Sequence, residues 1–341
     1  MMKTPCDGNT SKADARQYAA NQGDLTTAAI ENLRGTRPSF SDLAAYPNLG
    51  PVLPATSLDQ MLEAWASEEG QGENEGRQEA VRRISAWVNA GDLSAALNLS
   101  CLDLSTLPAE FPAGLQVLNV GCNQLTNLPG ELPVELQTLN ARYNRLTGLP
   151  DRLPAGLQIL EVSYNRLISL PDVLSARLRW LGAGGNQLTS LPDNLPIGLQ
   201  TINADGNQLT YVPANLPSGL QTLNVDDNRL ISLPDNLPAG LQRLSASGNQ
   251  LTNLPQKLPA GLRTLRAAGN RLTDLPNDLP VGLRSLNARC NLLISLPDKL
   301  LAQPSSECLV FLESNPLPNW VRANVVAAVC AADYRGPLVF L

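Results

Sequence analysis

Hydrophobic positions along most of this chain recur with one long, fixed period rather than with the short period of a single helix or strand. Asparagine stands at Asn123, Asn144, Asn165, Asn186, Asn207, Asn228, Asn249, Asn270 and Asn291, always 21 residues apart. A leucine follows two places later in each copy, from Leu125 to Leu293, and a proline six places later, from Pro129 to Pro297. One unit, residues 220–240, reads LQTLNVDDNRLISLPDNLPAG. Within it the pattern points Leu220, Leu223, Val225 and Leu230 inward from a short strand and the turn after it, with Leu233 and Leu237 completing the core. The LPxxLP stretch reads as an extended, polyproline-like return path, where a proline's missing N–H need not pair along a strand.

A unit this short cannot bury its own apolar face, so the copies must stack. The recurring Asn carries an amide that donates and accepts, which suits it to satisfying backbone groups at the turn inside each coil. Glycine precedes the first leucine at Gly114, Gly156, Gly198, Gly219, Gly240, Gly261 and Gly282, and is expected to open each strand with a tight turn. Glu135 and Arg177 at that place show that glycine is not obligatory. With strands ~4.8 Å apart, about ten coils make a ladder on the order of 45 Å long. The expected fold is a leucine-rich-repeat solenoid, a curved parallel β sheet with a polyproline-like convex side and an α-helical N-terminal cap.

The ends depart from the period. Residues 57–69 and 74–91 read as two amphipathic helices joined by a Gly-rich turn, with Ala80, Val81, Ile84, Trp87 and Val88 at helical spacing and Gly91 as the stop. Residues 97–108 read as a first coil with Leu102 where later coils place Asn. After Pro297 the period breaks: Asn315 stands 24 after Asn291 in an edge-closing strand, then 319–334 reads as a short helix and 336–341 as an extended segment. The expected organisation is a flexible secretion or linker segment over 1–55, a two-helix cap over 56–92, repeats over 93–303, and a C-terminal cap with the start of a linker over 304–341.

Composition narrows the chemistry. The 341 residues contain no His, which removes Ser-His-Asp and Cys-His pairs, His-ligated zinc and HExxH sites. A net charge of -6 argues against a general nucleic-acid footprint, which wants a basic face. The six cysteines form no CxxC pair and read as reduced, mostly structural thiols. No phosphate-cradling GxxxxGK[ST] loop and no apolar run of the ~18–20 residues needed to cross a bilayer is present. The reading expects no cofactor, no metal and no catalytic constellation.

The LPxxLP coils, the two-helix cap with its Trp and its QEAV helix, and the NPLP and YRGPLVF segments near the end resemble the bacterial LPX-type leucine-rich-repeat effectors, of the IpaH/SspH-like and YopM-like kinds. The likeness covers about 57–341. It implies export by a type III system into the host cytoplasm, with the nucleus as a further destination, and an array that selects host proteins. In IpaH-like members a helical E3 ubiquitin ligase domain follows the GP segment and takes ubiquitin from a charged E2 onto a CxD cysteine. This sequence stops where such a domain would begin; its CxD string, Cys101-Leu102-Asp103, lies in the first coil and is expected to be repeat filler. The resemblance thus implies the substrate-recognition region of a ligase-family effector, the ligase activity and E2 contact belonging to a longer form, or a stand-alone YopM-like scaffold.

Binding is expected on the concave face, whose side chains are free of core duty. Aligned coils give one column from Asn119 through Glu161, Asn224 and Arg266 to Asn287, and a second through Arg142, Asp205, Asp226 and Arg289. A neighbouring column holds Tyr143, Tyr164 and Asp227; two further back hold Trp180 with Arg243, and Arg179 with Arg263 and Arg284. The face is therefore graded: Tyr143, Glu161, Tyr164 and Trp180 early, Asp205, Asp226 and Asp227 in the middle, and Arg243, Arg263, Arg266, Arg284 and Arg289 at the end. Tyr, Trp and Arg are the common anchors of protein interfaces, and graded charge selects a complementary partner.

Overall fold

A computed structural model describes residues 57–68, 75–302 and 307–341. The expected N-terminal segment over 1–55 lies outside the described residues. Strands β1 (Leu97–Asn98), β2 (Val117–Asn119), β3 (Thr138–Asn140), β4 (Ile159–Glu161), β5 (Trp180–Gly182) and β6 (Thr201–Asn203) form the first half of one sheet. It continues through β7 (Thr222–Asn224), β8 (Arg243–Ser245), β9 (Thr264–Arg266), β10 (Ser285–Asn287), β11 (Leu309–Phe311) and β12 (Leu338–Phe340). All twelve are parallel and lie in sequence order.

Each strand is short because its inward positions are so few. Leu223 in β7 and Val225 just past it are fully buried, as are Leu220 and Leu230, while Leu237 on the return path is only partly buried. The return paths contain no helix between residues 99 and 297. Before most strands of the regular coils a turn closes from Pro to Leu, as in Leu241 N–H to the Pro238 carbonyl at 3.0 Å, with Ser175 in the proline's place before β5. Glycine in that turn keeps a negative φ in the regular coils, with Gly114 (φ 77°) the exception. That is why Glu135 and Arg177 fit where other coils have glycine.

The recurring Asn does more than close its own turn. Asn207 Nδ2 donates to the carbonyls of Ala204 (3.1 Å) and Ala183 (3.0 Å), and its Oδ1 accepts from Leu188 N–H (3.0 Å). Two of those partners belong to the preceding coil, so the ladder ties neighbours together as well as shaping each turn. The same pattern runs from Asn123 to Asn291. Asn315 keeps it despite the longer 24-residue spacing, reaching the Ala288 carbonyl (2.9 Å) and accepting from Leu293 N–H (3.1 Å).

Helices α1 (Leu58–Ala66) and α2 (Arg77–Ala90) sit against the start of the stack. Ser57 and Gln60 form a reciprocal capping box on α1, and Gly91 ends α2 in the left-handed region at φ 65°. The buried stripe of α2 is Arg77, Ala80, Ile84 and Trp87; Val88, expected in the core, is exposed because the stripe turns away from it by about one residue, ~100°. At the far end, α3 (Asp298–Ala302) follows the last regular coil, and α4 (Asn319–Val329) precedes β12. The last extended segment does not merely trail off: β12 pairs with β11 in register, Leu309 to Leu338 and Phe311 to Phe340.

Candidate functional site: the exposed face of the ladder

Strand register brings the predicted columns side by side. Asn140, Glu161, Gly182, Asn203, Asn224, Ser245, Arg266 and Asn287 are consecutive register partners, as are Trp180 with Thr201 and Thr222 with Arg243. The same backbone ladder carries past the strands, for example from Gly206 N–H to the Asp226 carbonyl at 2.9 Å, so the second column also stacks.

The early zone is built, not merely adjacent. The Tyr143 and Tyr164 rings stack at 4.6 Å with an interplanar angle of 12°. The Arg142 guanidinium lies 4.7 Å from the Tyr143 ring centre and 5.8 Å from that of Tyr164. Among the described residues, Arg142 Nε is the buried side-chain nitrogen or oxygen without a hydrogen-bond partner, so the aromatic faces are its main compensation. Glu161 is not an exposed anchor. It is buried, accepts from Ser163 N–H (3.1 Å) and from the Trp180 indole N–H (3.4 Å), and lies over the Cα of Gly182, where a side chain would collide with its carboxylate.

The column holding both tyrosines has a backbone feature of its own. Cys122, Tyr143, Tyr164, Gly185, Gly206, Asp227, Gly248, Gly269 and Cys290 all have φ between 51° and 63°. This left-handed turn precedes every ladder Asn and favours glycine, costing a non-glycine residue about 1–2 kcal/mol. The glycines at four of the nine places signal it in the sequence.

In the middle zone the three aspartates converge. Asp226 accepts from the Ser245 hydroxyl (2.6 Å) and from Ser247 N–H (2.5 Å). Burial, then the neighbouring charge of Asp226, pushes the Asp205 carboxyl up to about 6. Burial likewise raises Asp226 against its hydrogen bonds, and burial with the Asp226 charge raises Asp227. This stretch of the face therefore carries its negative charge at a cost above pH ~6, which an approaching cation would relieve.

In the late zone Arg243, Arg263, Arg266 and Arg284 are exposed. Arg289 is different: its Nε and Nη2 meet Glu313 at 2.7 and 2.6 Å, and its guanidinium lies 4.6 Å from the Phe311 ring. Phe311 in turn stacks on Phe340 at 5.0 Å. Glu313 and the two phenylalanines were missed because the 24-residue last coil falls out of the period; aligning it on Asn315 places Glu313 beside Arg289. Cys101, of the CxD string, occupies an exposed turn of the first coil with φ 58°. Among the described residues no three metal-ligating side chains cluster, and no helix is long and apolar enough to cross a membrane.

The chain is thus a leucine-rich-repeat protein, an open solenoid that presents one long sheet face. No protein-family model matches it, and no curated protein does. Among solved structures it is similar to YopM from Yersinia enterocolitica WA-314, with 33% identity, 75% of this chain and 63% of that one covered, and a TM-score of 0.49. It is similar to a Shigella effector leucine-rich-repeat domain, with 27% identity, 82% and 94% covered, and a TM-score of 0.38. Drosophila Toll, solved in complex with Spatzle, shares the fold at 24% identity over 63% of this chain and 34% of that one, with a TM-score of 0.55. The chain spans under two thirds of the length of the YopM and Toll chains.

Proposed function

We propose that the sheet face between β3 and β10 binds a protein partner, and that the chain is the host-protein-recognition region of a secreted bacterial effector of the LPX type. The observation that carries this reading is the pair of stacked tyrosines, Tyr143 and Tyr164, held in a left-handed turn where four other coils use glycine. Backbone strain of this kind persists where side chains serve a site. The coil and terminal motifs add the effector class, and with it delivery into a host cell and membership of a family that includes E3 ubiquitin ligases. On this reading a longer form carrying a ligase domain discharges a charged E2, and this chain alone does not.

The test combines two variants. Replacing Tyr143 and Tyr164 together by glycine trades a stack worth ~0.5–1.5 kcal/mol, and the ring contacts of Arg142, for relief of ~1–2 kcal/mol at each turn, and a denaturant melt beside the wild type checks that the fold is retained. Glycine's larger loss of freedom on folding, about 0.5–1 kcal/mol each, keeps the net change small. A host protein captured by the wild-type chain should be lost by this variant and kept when exposed Arg145 and Arg166, beside the face, become Ser. Equal capture by all forms would refute the assignment of the face.

The runner-up is a stand-alone YopM-like scaffold that joins two host proteins. The separation of an aromatic zone in β3–β5 from a basic zone in β8–β10, with the aspartates between, favours it, because the two zones differ in chemistry and suit different partners. Simultaneous retention of two proteins, one lost with the tyrosines and one with Arg243 and Arg266, would establish the scaffold.

A further inference from the structure

Cys101 and Cys122 belong to consecutive coils and stand opposite each other. Strand β1 pairs with β2 with Leu97 against Leu118 and Asn98 against Asn119, and the ladder continues through Leu99 N–H to the Asn119 carbonyl (2.7 Å) and Cys101 N–H to the Gly121 carbonyl (3.1 Å). Both cysteines occupy the left-handed turn, at φ 58° and 56°, so their side chains leave the backbone in the same direction. Both are exposed, and the two thiols interact. How closely neighbours in this column approach is shown two coils on, where Tyr143 and Tyr164 stack ring on ring. Cys290, in the same column, has Gly269 and Ser314 as its neighbours and no such mate.

We propose that Cys101 and Cys122 are a redox modification site that forms a disulfide across the first two coils by exchange with a small-molecule disulfide. Parallel strands lie about 4.8 Å apart, inside the ~4.4–6.8 Å Cα separation that a disulfide tolerates. Either exposed thiol can begin the exchange, here Cys101. Its thiolate forms a bond to one sulfur of the oxidant and expels the other as a thiolate. Cys122 then gives its proton to solvent and attacks the Cys101 sulfur, expelling the second small thiolate. Two protein thiols are oxidised and one small disulfide is reduced to two thiols. The bond ties the first coil, which lacks a ladder Asn and carries the helical cap through Gly76 N–H to the Leu102 carbonyl (2.8 Å), onto the second. The site does not depend on what the sheet face binds.

The experiment incubates the full chain with oxidised glutathione and follows intact mass, with Cys101→Ser, Cys122→Ser and Cys290→Ser beside it. The wild type and Cys290→Ser should each lose about 2 Da, and the other two variants should not. Cleavage after Glu110 should leave the peptides of Cys101 and Cys122 joined until a reductant is added. The oxidised wild type should melt at a higher temperature than its reduced form, with no such shift in Cys101→Ser. Glutathione adducts without the 2 Da loss, a loss that survives Cys101→Ser, or a linkage to any other cysteine would overturn the assignment.

Discussion

Asp205 shows how the ladder acts on one side chain. Its carboxyl, with an ordinary value of 3.8, is pushed to about 6 by burial and then by Asp226 in the next coil. The folded chain therefore binds a proton that the unfolded chain gives up, and stability falls as pH rises through the window from 3.8 to about 6. Asp205→Asn removes the titrating charge, so we expect it to stabilise the protein at pH ~7 by an amount on the order of 1–3 kcal/mol and to change little at pH ~4. Denaturant titrations at the two pH values measure this, and an equal effect at both would refute it. The column that brings Asp205 to Asp226 was legible from the 21-residue period alone. The size of the effect was not, because it depends on Gly184 leaving the room into which the Asp205 carboxylate folds. Glu161, whose residue type suggested a surface anchor, is buried for the same kind of reason: Gly182 vacates the space beside it.

Elements are held by two different devices. Along the array it is the Asn ladder, in which removal of one amide strips partners from two coils. Asn207→Ala would leave the Leu188 N–H unpaired in a dry turn and take one of two donors from the Ala183 and Ala204 carbonyls, which keep those of Asn186 and Asn228. A loss of about 1–3 kcal/mol is expected from a denaturant melt, the cost of one stranded buried group. At the start it is a charged pair. The side chains of Arg77 and Glu75 are 5% and 3% exposed and meet at 2.8 Å, with Arg77 also on the Trp65 carbonyl (2.7 Å) and 5.2 Å from the Trp65 ring centre. Glu75 accepts from Ser105 N–H at 2.6 Å and so bolts α2 to the first coil. Glu75→Ala leaves Arg77 without this compensation and should cost about 3 kcal/mol, with the cap losing amide-exchange protection before the array does. The two helices were legible from their apolar spacing, but Arg77 was not, because a charge at a helix start ordinarily faces water and nothing local announces that it lies over Trp65.

Over the whole molecule, acid acts in opposite senses on the middle and the ends. Asp205, Asp226 and Asp227 are raised, so the central coils gain stability as pH falls towards 4. Glu313 is held low by the Arg289 hydrogen bond, and in Glu75 the hydrogen bonds from Ser105 and Arg77 outweigh burial. The ends therefore keep their contribution above the ordinary glutamate value of 4.5 and lose it as pH falls further. We expect amide-exchange protection of β6–β8 to rise between pH ~7 and ~5, by roughly tenfold or more, while that of α2 and β11 stays level until the pH falls below ~4.5. A uniform response along the chain would contradict the assignment.

The reach of each ladder Asn has a consequence for how such a chain changes over generations. Because Asn207 bonds to its own coil and the one before it and to nothing further, a coil needs only a neighbour of its own kind, and any neighbour will do. Deleting or duplicating 21 residues in frame, wherever the cut falls within the array, rejoins every amide to an equivalent partner. The recurrence of ISLP at 168–171, 231–234 and 294–297, spaced by 63 residues or three coils, is what such copying would leave behind. The face can thus be lengthened, shortened or reordered as a row of tiles while the masonry behind it stays the same.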